Sequence, residues 1–347
     1  MGSPAGMGAK GPFLLAAFVA VLLAVAVDLA LMHSRYHGQR LLLEDVRHFP
    51  TFHWVYDPAN PEFNRDGLRE SRGAAAFEAP GCNILFLGDS FVFGMRVQPQ
   101  QALPQQLERV AAAERPGEKI RVANFGWVSA SPYLQKDLLA ELGPSYRPDV
   151  VLLAVDVTDP HEDIKYRHYS ERKGVHALLD WLPSWLLLAK EFAADHGLHE
   201  EWFGYPGDRL FPVNRSLEES RPHMQQTRAH IEAIAAIARD DLGARFGLLV
   251  LPRHYHYSDR ESPEDWETGA YDRAGEHRFE WFRYFDEMRS EVEFPVRSLL
   301  PALRPPPFFP TTFHDDPHWT PATHRYMAGK VFEILEEEGL LCEPGAG

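Results

Sequence analysis

The chain contains few cysteines and few basic residues for its length. Its 347 residues include two cysteines, and 35 Lys and Arg stand against 50 Asp and Glu, so the formal net charge is −15. Two thiols are too few for a disulfide scaffold or a four-cysteine zinc site. The acidic balance argues against a nucleic-acid partner, because phosphate binding depends on clustered Lys and Arg.

Metal and cofactor motifs are missing as well. The HExxH pattern of zinc hydrolases does not occur, since Phe203 stands where a second histidine would have to follow His199 and Glu200. We therefore predict no metal and no dissociable cofactor. Cys82 and Cys342 can form one bridge or none, and their number does not indicate the redox compartment. The remaining composition, 45% hydrophobic and 24% charged, is typical of a globular protein.

The chain has a long apolar run near its beginning, at residues 12–32, in which Asp28 is the one charge. About 20 apolar residues suffice to cross the hydrocarbon core of a bilayer. The run therefore predicts a transmembrane anchor after a cytoplasmic segment, residues 1–11. A signal peptide is the alternative, because residues 24–26 (Ala-Val-Ala) resemble a cleavage site. Basic residues on both sides leave the orientation open.

After a polar connector, residues 33–81, short apolar runs alternate with helical spacing. Strands are predicted at 83–87, 120–124, 149–155, 246–251 and 294–298, and helices at 101–114, 133–142, 227–242, 279–292 and 321–338. This alternation predicts an α/β domain over residues 82–341, with a central parallel sheet of about five strands. In such folds the chemistry lies in the loops that follow the carboxyl ends of the strands.

The interval from about residue 160 to 226 is too long for an ordinary connection, and we predict a helical insertion there. Residues 177–192 within it are rich in Trp and Leu and are interrupted by Pro183. They form either a helical pair that packs on the domain or a lid that touches a membrane surface.

Three side chains have the chemistry of an acyl-transfer site. Ser90 follows the first strand in Gly-Asp-Ser, and Asp315 and His318 lie just before the closing helix. Acyl transfer needs a hydroxyl nucleophile, a base and a carboxylate that orients the base. We therefore predict Ser90 as nucleophile, His318 as base and Asp315 as its partner, whereas Asp316 is interpreted as a turn residue. The G-x-S-x-G elbow is absent, because Val92 replaces its second glycine.

With these motifs, the chain resembles the SGNH (GDSL-type) hydrolases, in particular membrane-anchored bacterial members that occur with polysaccharide acylation systems. The resemblance covers residues 61–338 and includes the blocks NRDGLR, ILFLGDSFVFG, VANFGWVSAS, RPDVVLLAV and DDPHWTPATH. It implies a flavodoxin-like three-layer fold. It also implies that the Ser90 N–H is an oxyanion donor, that the substrate is acylated, usually acetylated, cell-surface carbohydrate, and that the location is extracytoplasmic. A membrane protein that donates acyl groups is an implied partner.

Two positions depart from the pattern of that family. Ser129 stands where the family has a glycine, and Thr158 stands where an asparagine amide completes the oxyanion hole. We predict Ser129, Thr158 and Asp159 as oxyanion or substrate-binding residues. Alternatively, Asp156 and Asp159 either hold the loop by accepting backbone N–H groups or position a sugar hydroxyl.

Two further questions stay open in the sequence. Residues 253–255 (Arg-His-Tyr) form either a wall of the substrate site or a packed aromatic cluster. The predicted function is a serine esterase or acyltransferase. The alternatives are a weak or inactive carbohydrate-binding partner in polysaccharide acylation and a membrane lipid esterase.

Overall fold

The computed structural model describes residues 15–27, 46–47, 55–56, 60–171 and 206–343. The chain divides into two units, of which the larger comprises residues 47–171 and 208–347. In the smaller unit, residues 15–27 are helical, and the rest of the predicted anchor lies outside the described residues. None of the helices in the described ranges combines the length and apolarity that crossing a bilayer requires. The Trp- and Leu-rich stretch at 177–192 also lies outside them.

The larger unit is built on a five-stranded parallel sheet, as the alternating pattern predicts. Its strands are β1 (Cys82–Gly88), β2 (Ile120–Gly126), β3 (Val150–Val155), β4 (Arg245–Val250) and β5 (Val296–Ser298). Their order is β2-β1-β3-β4-β5, and every neighbouring pair is parallel. This is the flavodoxin-like order, in which the connections leave β1 towards opposite sides and open a crevice between the carboxyl ends of β1 and β3.

The main helices of the described residues connect or flank these strands. They are α1 (Ser90–Phe93), α2 (Leu103–Glu114), α3 (Pro132–Leu142), α4 (Asp159–Glu171), α5 (Leu217–Ala236), α6 (Glu280–Arg289) and α7 (Pro321–Glu337). A π-helical turn, Ile237–Asp241, continues α5. The predicted start of α5, residue 227, is wrong, because a capping box between Ser216 and Glu219 begins the helix ten residues earlier.

The remaining elements are short. A β-hairpin, β6 (Thr312–Phe313) and β7 (Asp316–Trp319), precedes α7. Single turns of helix occur at Ala74–Phe77, Pro99–Gln101, Gly143–Tyr146, Phe211–Asn214, His254–His256 and Leu300–Leu303, and two-residue strands at Val46–Arg47 and Val55–Tyr56.

Alternate residues of the sheet supply two separate cores. In β1, Leu85 and Leu87 belong to the core under α3, α5 and α6, whereas Ile84 and Phe86 belong to the core under α2 and α7. Side chains of successive strand residues point to opposite faces, so a strand that is apolar throughout must be covered on both sides. The sheet is therefore rigid, and functional groups are left to its edge.

Cys82 and Cys342 form a disulfide, one of the two possibilities left open by the sequence. The bond joins the first residue of β1 to the chain just after α7, across a sequence separation of 260 residues. A link across so long a loop removes much conformational freedom from the unfolded chain.

Candidate active site

Ser90 lies at the carboxyl edge of the sheet, where β1 passes directly into α1. Asp89 is the N-cap residue of this short helix, and its carboxylate accepts a hydrogen bond of 2.9 Å from the N–H of Phe91. The end of β2 passes close behind, since a Cβ on Gly126 would lie 2.2 Å from the backbone nitrogen of Phe93. Only glycine at position 126 lets the two backbone segments approach so closely. This packing holds the partly exposed Ser90 at the carboxyl edge of the sheet.

The imidazole of His318 lies between Ser90 and Asp316. Its Nε2 is 2.7 Å from Ser90 Oγ, and its Nδ1 is 2.5 Å from Asp316 Oδ1. A carboxylate can only accept, so Nδ1 carries the proton and Nε2 is free to accept the proton of the hydroxyl. The structure thus joins the predicted nucleophile and base, 228 positions apart in the chain.

The prediction that Asp315 is the partner of His318 is wrong. The Asp315 carboxylate is 59% exposed and binds the Arg96 guanidinium at 2.7 Å. Asp316 and His318 are both in β7, two residues apart, and residues with that spacing share one face of a strand. Asp316, interpreted from the sequence as a turn residue, is therefore the carboxylate that orients the imidazole.

Asp316 is held as an anion. Burial by itself would raise its pKa, but hydrogen bonds from the ring and the backbone N–H of His318, together with the charge of Arg96, lower the pKa below its usual range. The Arg96 guanidinium lies 3.7 Å from the second oxygen of Asp316. The carboxylate therefore stays charged at neutral pH and stabilises positive charge on the imidazole.

Aromatic packing fixes the plane of this imidazole. The ring of Phe91 lies 4.9 Å from the His318 ring and 5.2 Å, edge to face, from the ring of Trp319. Phe91 and Trp319 are buried. The imidazole of His318, which accepts the proton, therefore packs against Phe91, the residue that follows the nucleophile Ser90.

The predicted oxyanion and substrate-binding residues have different outcomes. Ser129 lies in the loop after β2 with a φ of 56°, the left-handed conformation that glycine adopts most easily. Thr158 is buried, and its hydroxyl donates to Asp156 Oδ1 at 2.6 Å, so its single proton is already used. Asp159 is buried as well, and its Oδ2 accepts the N–H of Asp156 at 2.9 Å.

The expectation that Thr158 and Asp159 face the substrate is therefore wrong. Asp156 and Asp159 carry out the loop-holding role considered for these two carboxylates, because they accept the N–H groups of Thr158 and Asp156, and Thr158 also donates its hydroxyl to Asp156. A buried polar side chain whose hydrogen bonds are made within the loop is a structural group.

A buried ion network lies beneath the site. Arg253, 2% exposed, bonds both oxygens of Asp156 at 2.5 and 3.0 Å and reaches Glu267 at 3.1 Å. His254 and Tyr255 are buried with it. The interpretation of residues 253–255 as a wall of the substrate site is therefore wrong, and the packing interpretation describes them.

The buried carboxyl groups near this network have very different pKa values. Burial alone would raise the pKa of Asp156, but Arg253 lowers it to about 2. Asp89 is also buried and lies near the Asp156 charge, and these two causes raise its pKa to about 7. Burial and the charges of Asp89 and Asp156 likewise raise the pKa of Asp159 well above its ordinary value.

Replacing Asp89 with Asn is expected to change the pH dependence of stability. Because the folded-state pKa of Asp89 is raised from 3.8 to about 7, its contribution to stability is present below pH 3.8 and is lost as the pH rises towards 7. Asn keeps an oxygen for the Phe91 N–H. Relative to the wild type, the variant should gain about 2–4 kcal/mol between pH 4 and pH 8. Urea unfolding of the wild type and the variant over this pH range is the test. If the free energy of unfolding depends on pH in the same way in both proteins, the prediction is contradicted.

The chain matches no model of a protein family and no curated protein. Among solved structures it is similar to an acetylxylan esterase from Geobacillus stearothermophilus (15% identity, TM-score 0.42, 75% of this chain and 96% of that one). A lipase/acylhydrolase from Enterococcus faecalis (14%, 0.43, 75% and 97%) and a protein from Desulfitobacterium hafniense assigned to the G-D-S-L family (14%, 0.42, 74% and 100%) are also similar. At this identity the likeness concerns the fold alone.

Proposed function

We propose that this protein is a serine-dependent ester hydrolase. The observation that carries the proposal is the hydrogen-bonded chain from Ser90 Oγ through His318 to Asp316, with distances of 2.7 and 2.5 Å. A hydroxyl in contact with an imidazole, which is itself oriented by a carboxylate, is the arrangement that activates a serine nucleophile. The position of Ser90 at the crevice between β1 and β3 supports it, because ligands bind there in this fold.

The reaction follows from the proton positions. Ser90 Oγ attacks the ester carbonyl carbon while His318 Nε2 takes its proton, and the Nδ1–H of the imidazolium is held by Asp316. His318 then returns the proton to the leaving alcohol as the carbon–oxygen bond breaks, which leaves an acyl group on Ser90. Water, deprotonated by the same imidazole, then attacks the acyl carbon. The bond from this carbon to Ser90 Oγ breaks, the imidazolium returns its proton to Oγ, and the acid is released.

Two backbone N–H groups are the proposed oxyanion donors. Those of Ser90 and Ser129 donate to no other protein group within the described ranges. Thr158 supplies no third donor while its hydroxyl is bonded to Asp156. Loss of one such donor typically lowers turnover by about 10²–10³-fold. We therefore expect slow hydrolysis with simple esters.

The substrate class that we propose is acylated carbohydrate outside the cytoplasm. Trp266 is 60% exposed and lies two residues after Glu264, whose N–H donates to the His314 carbonyl in the turn of the β6–β7 hairpin. The Arg209 guanidinium lies 5.6 Å from the centroid of this indole, and the exposed part of the ring offers an apolar face to a sugar ring. The disulfide supports an oxidising compartment. Membrane anchoring and an acyl-donating partner remain part of this proposal.

Replacing Trp266 with Ala is expected to raise KM for O-acetylated cello-oligosaccharides about three- to tenfold, because a stacked aromatic contact is worth about 0.5–1.5 kcal/mol. The value of kcat should change little. Steady-state kinetics with the oligosaccharide provide the measurement, and p-nitrophenyl acetate, which has no sugar ring, is the control substrate. An equal rise in KM with both substrates would contradict a role of Trp266 in sugar binding.

The function is tested by treating the full chain with a fluorophosphonate probe and locating the modified residue by mass spectrometry. Ser90 should be labelled, Ser90→Ala should not react, and Ser290→Ala, which removes an exposed hydroxyl, should react like the wild type. If Ser90 is not labelled and p-nitrophenyl acetate is not turned over, the binding-partner alternative is favoured. Faster turnover of vesicle-embedded esters than of the acetylated oligosaccharide would favour the lipid esterase.

A further inference from the structure

The β6–β7 hairpin, which carries the base and its carboxylate, is held by residues 257–264. At the start of this segment, the Tyr257 hydroxyl lies 2.9 Å from Thr311 Oγ1. At its end, the N–H of Glu264 donates to the His314 carbonyl at 3.2 Å. The segment is therefore fastened to the strand before the hairpin turn and to the turn itself.

Glu261 makes three of the contacts between these ends. Its side chain is fully buried. One oxygen accepts the N–H of Thr311 at 2.9 Å, and the other accepts both the N–H and the hydroxyl of Thr312, at 3.2 and 3.1 Å. A carboxylate that accepts three protons from two successive residues fixes the backbone of that strand.

Ser262 contacts both strands of the hairpin. Its hydroxyl lies 2.7 Å from Thr312 Oγ1, 2.9 Å from the carbonyl oxygen of Phe313 and 3.0 Å from the carbonyl oxygen of Asp316. Phe313 and Asp316 are partners across the hairpin. The hydroxyl therefore meets the backbone at the residue pair that includes the carboxylate partner of His318.

The backbone of Ser262 is held in a conformation that suits glycine better than serine. Its φ is 44°, in the left-handed region that residues with a Cβ seldom occupy, and the side chain is 2% exposed. A glycine would satisfy this backbone with less strain, but it would remove the hydroxyl that reaches the hairpin.

We propose that Glu261 and Ser262 are positioning residues that hold the backbone of Asp316, and through it the carboxylate, against the imidazole of His318. The proposal rests on the proposed function for its kinetic consequence. Neither residue touches the nucleophile. Both act by fixing the hairpin, and a displacement of about 1 Å in such a site can cost about a hundredfold in rate.

Removal of the Ser262 hydroxyl is expected to lower kcat by about ten- to a hundredfold with KM unchanged, because the base is misplaced while the substrate site remains. Ser262→Ala and Ser262→Gly should behave alike, since both lack the hydroxyl, although glycine relieves the strain at φ 44°. Glu261→Gln should likewise lower kcat and leave KM unchanged, because an amide offers one accepting oxygen in place of two.

The experiment measures kcat and KM for p-nitrophenyl acetate and the rate of fluorophosphonate labelling in these variants. Ser258→Ala is the matched control, because its hydroxyl lies in the same segment and, among the described residues, accepts the N–H of Arg260 alone. Each variant is also combined with Asp316→Asn. If Ser262 acts through Asp316, its removal should cost less than threefold in that background, whereas a full further loss would overturn the proposal.

A second readout does not depend on esterase activity. The Nδ1–H of His318 that is bonded to Asp316 gives a downfield proton NMR signal, and this signal should shift or broaden in Ser262→Gly and remain in Ser258→Ala. If the wild type neither turns over esters nor is labelled, the proposed function fails, and this signal alone decides the positioning role. An unchanged signal in Ser262→Gly overturns it.

Discussion

Asp316→Asn is expected to lower kcat by about 10⁴-fold, whereas Asp315→Asn should change it by less than about threefold. An asparagine at 316 can present an N–H to the imidazole, which then holds its proton on Nε2 and cannot accept one from Ser90. Asp315 binds the exposed Arg96, and exposed ion pairs contribute little. The measurement is kcat for p-nitrophenyl acetate in both variants.

The two neighbouring carboxylates control for each other, because both substitutions remove one charge from the same hairpin. Thermal unfolding of the two variants checks that the hairpin remains folded. An Asp315→Asn variant as slow as Asp316→Asn would show that the charge of the hairpin matters more than the contact with His318. The role assigned to Asp316 would then have to be abandoned.

Arg253→Met is expected to lower the free energy of unfolding by about 3–5 kcal/mol at pH 7, because it leaves the buried carboxylate of Asp156 without its cation and leaves Glu267 with the longer contact to Arg209, at 3.5 Å. Methionine replaces most of the apolar stem, so lost packing is a minor part. The loss should shrink as the pH falls from 7 to 4. Without Arg253, the pKa of Asp156 is no longer held at about 2, and protonation removes the buried charge.

Urea unfolding at pH 7, 5.5 and 4 measures this effect. Arg283→Gln is the control, since Arg283 is 64% exposed and pairs with Glu280 at the surface, where such a pair contributes less than about 1 kcal/mol. A loss that is the same at all three pH values would indicate that Arg253 acts by packing alone.

The sheet could be predicted from the sequence because its strands are buried on both faces. The runs at 83–87 and 149–155 each contain one polar residue and the run at 120–124 contains two, and the strands Cys82–Gly88, Ile120–Gly126 and Val150–Val155 extend or shorten these runs by one or two residues. The start of α5 could not be predicted in this way. Pro222 argues against a helix, yet it is accommodated in the second turn, after a capped first turn.

Ser90 and His318 could be predicted because each belongs to a motif with its own chemistry. The choice between Asp315 and Asp316 depended on the local conformation. A loop would allow a spacing of three to the histidine, whereas the strand that forms requires a spacing of two. The extended Asp-Pro-His-Trp run was the signal that could have identified Asp316, because proline favours an extended residue before it.

Thr158 shows what a sequence pattern leaves undecided. The position of the side chain at the end of β3 follows from the topology, but the partner of its hydroxyl depends on Asp156, which Arg253 keeps charged from the loop after β4, 97 positions along the chain. Long-range charge pairing of this kind determines which nearby hydroxyl is free, and no local pattern encodes it.

The Cys82–Cys342 bond has a practical consequence for studying this protein. Cys82 begins β1 and Ser90 follows its far end, so the two lie about 25 Å apart at about 3.3 Å per strand residue. Cys342 is fastened beside Cys82, with 5.8 Å between their Cα atoms. A surface tether or fluorescent tag attached beyond Cys342 would therefore emerge from the opposite end of the sheet and leave the entrance to Ser90 accessible to bulky polymers.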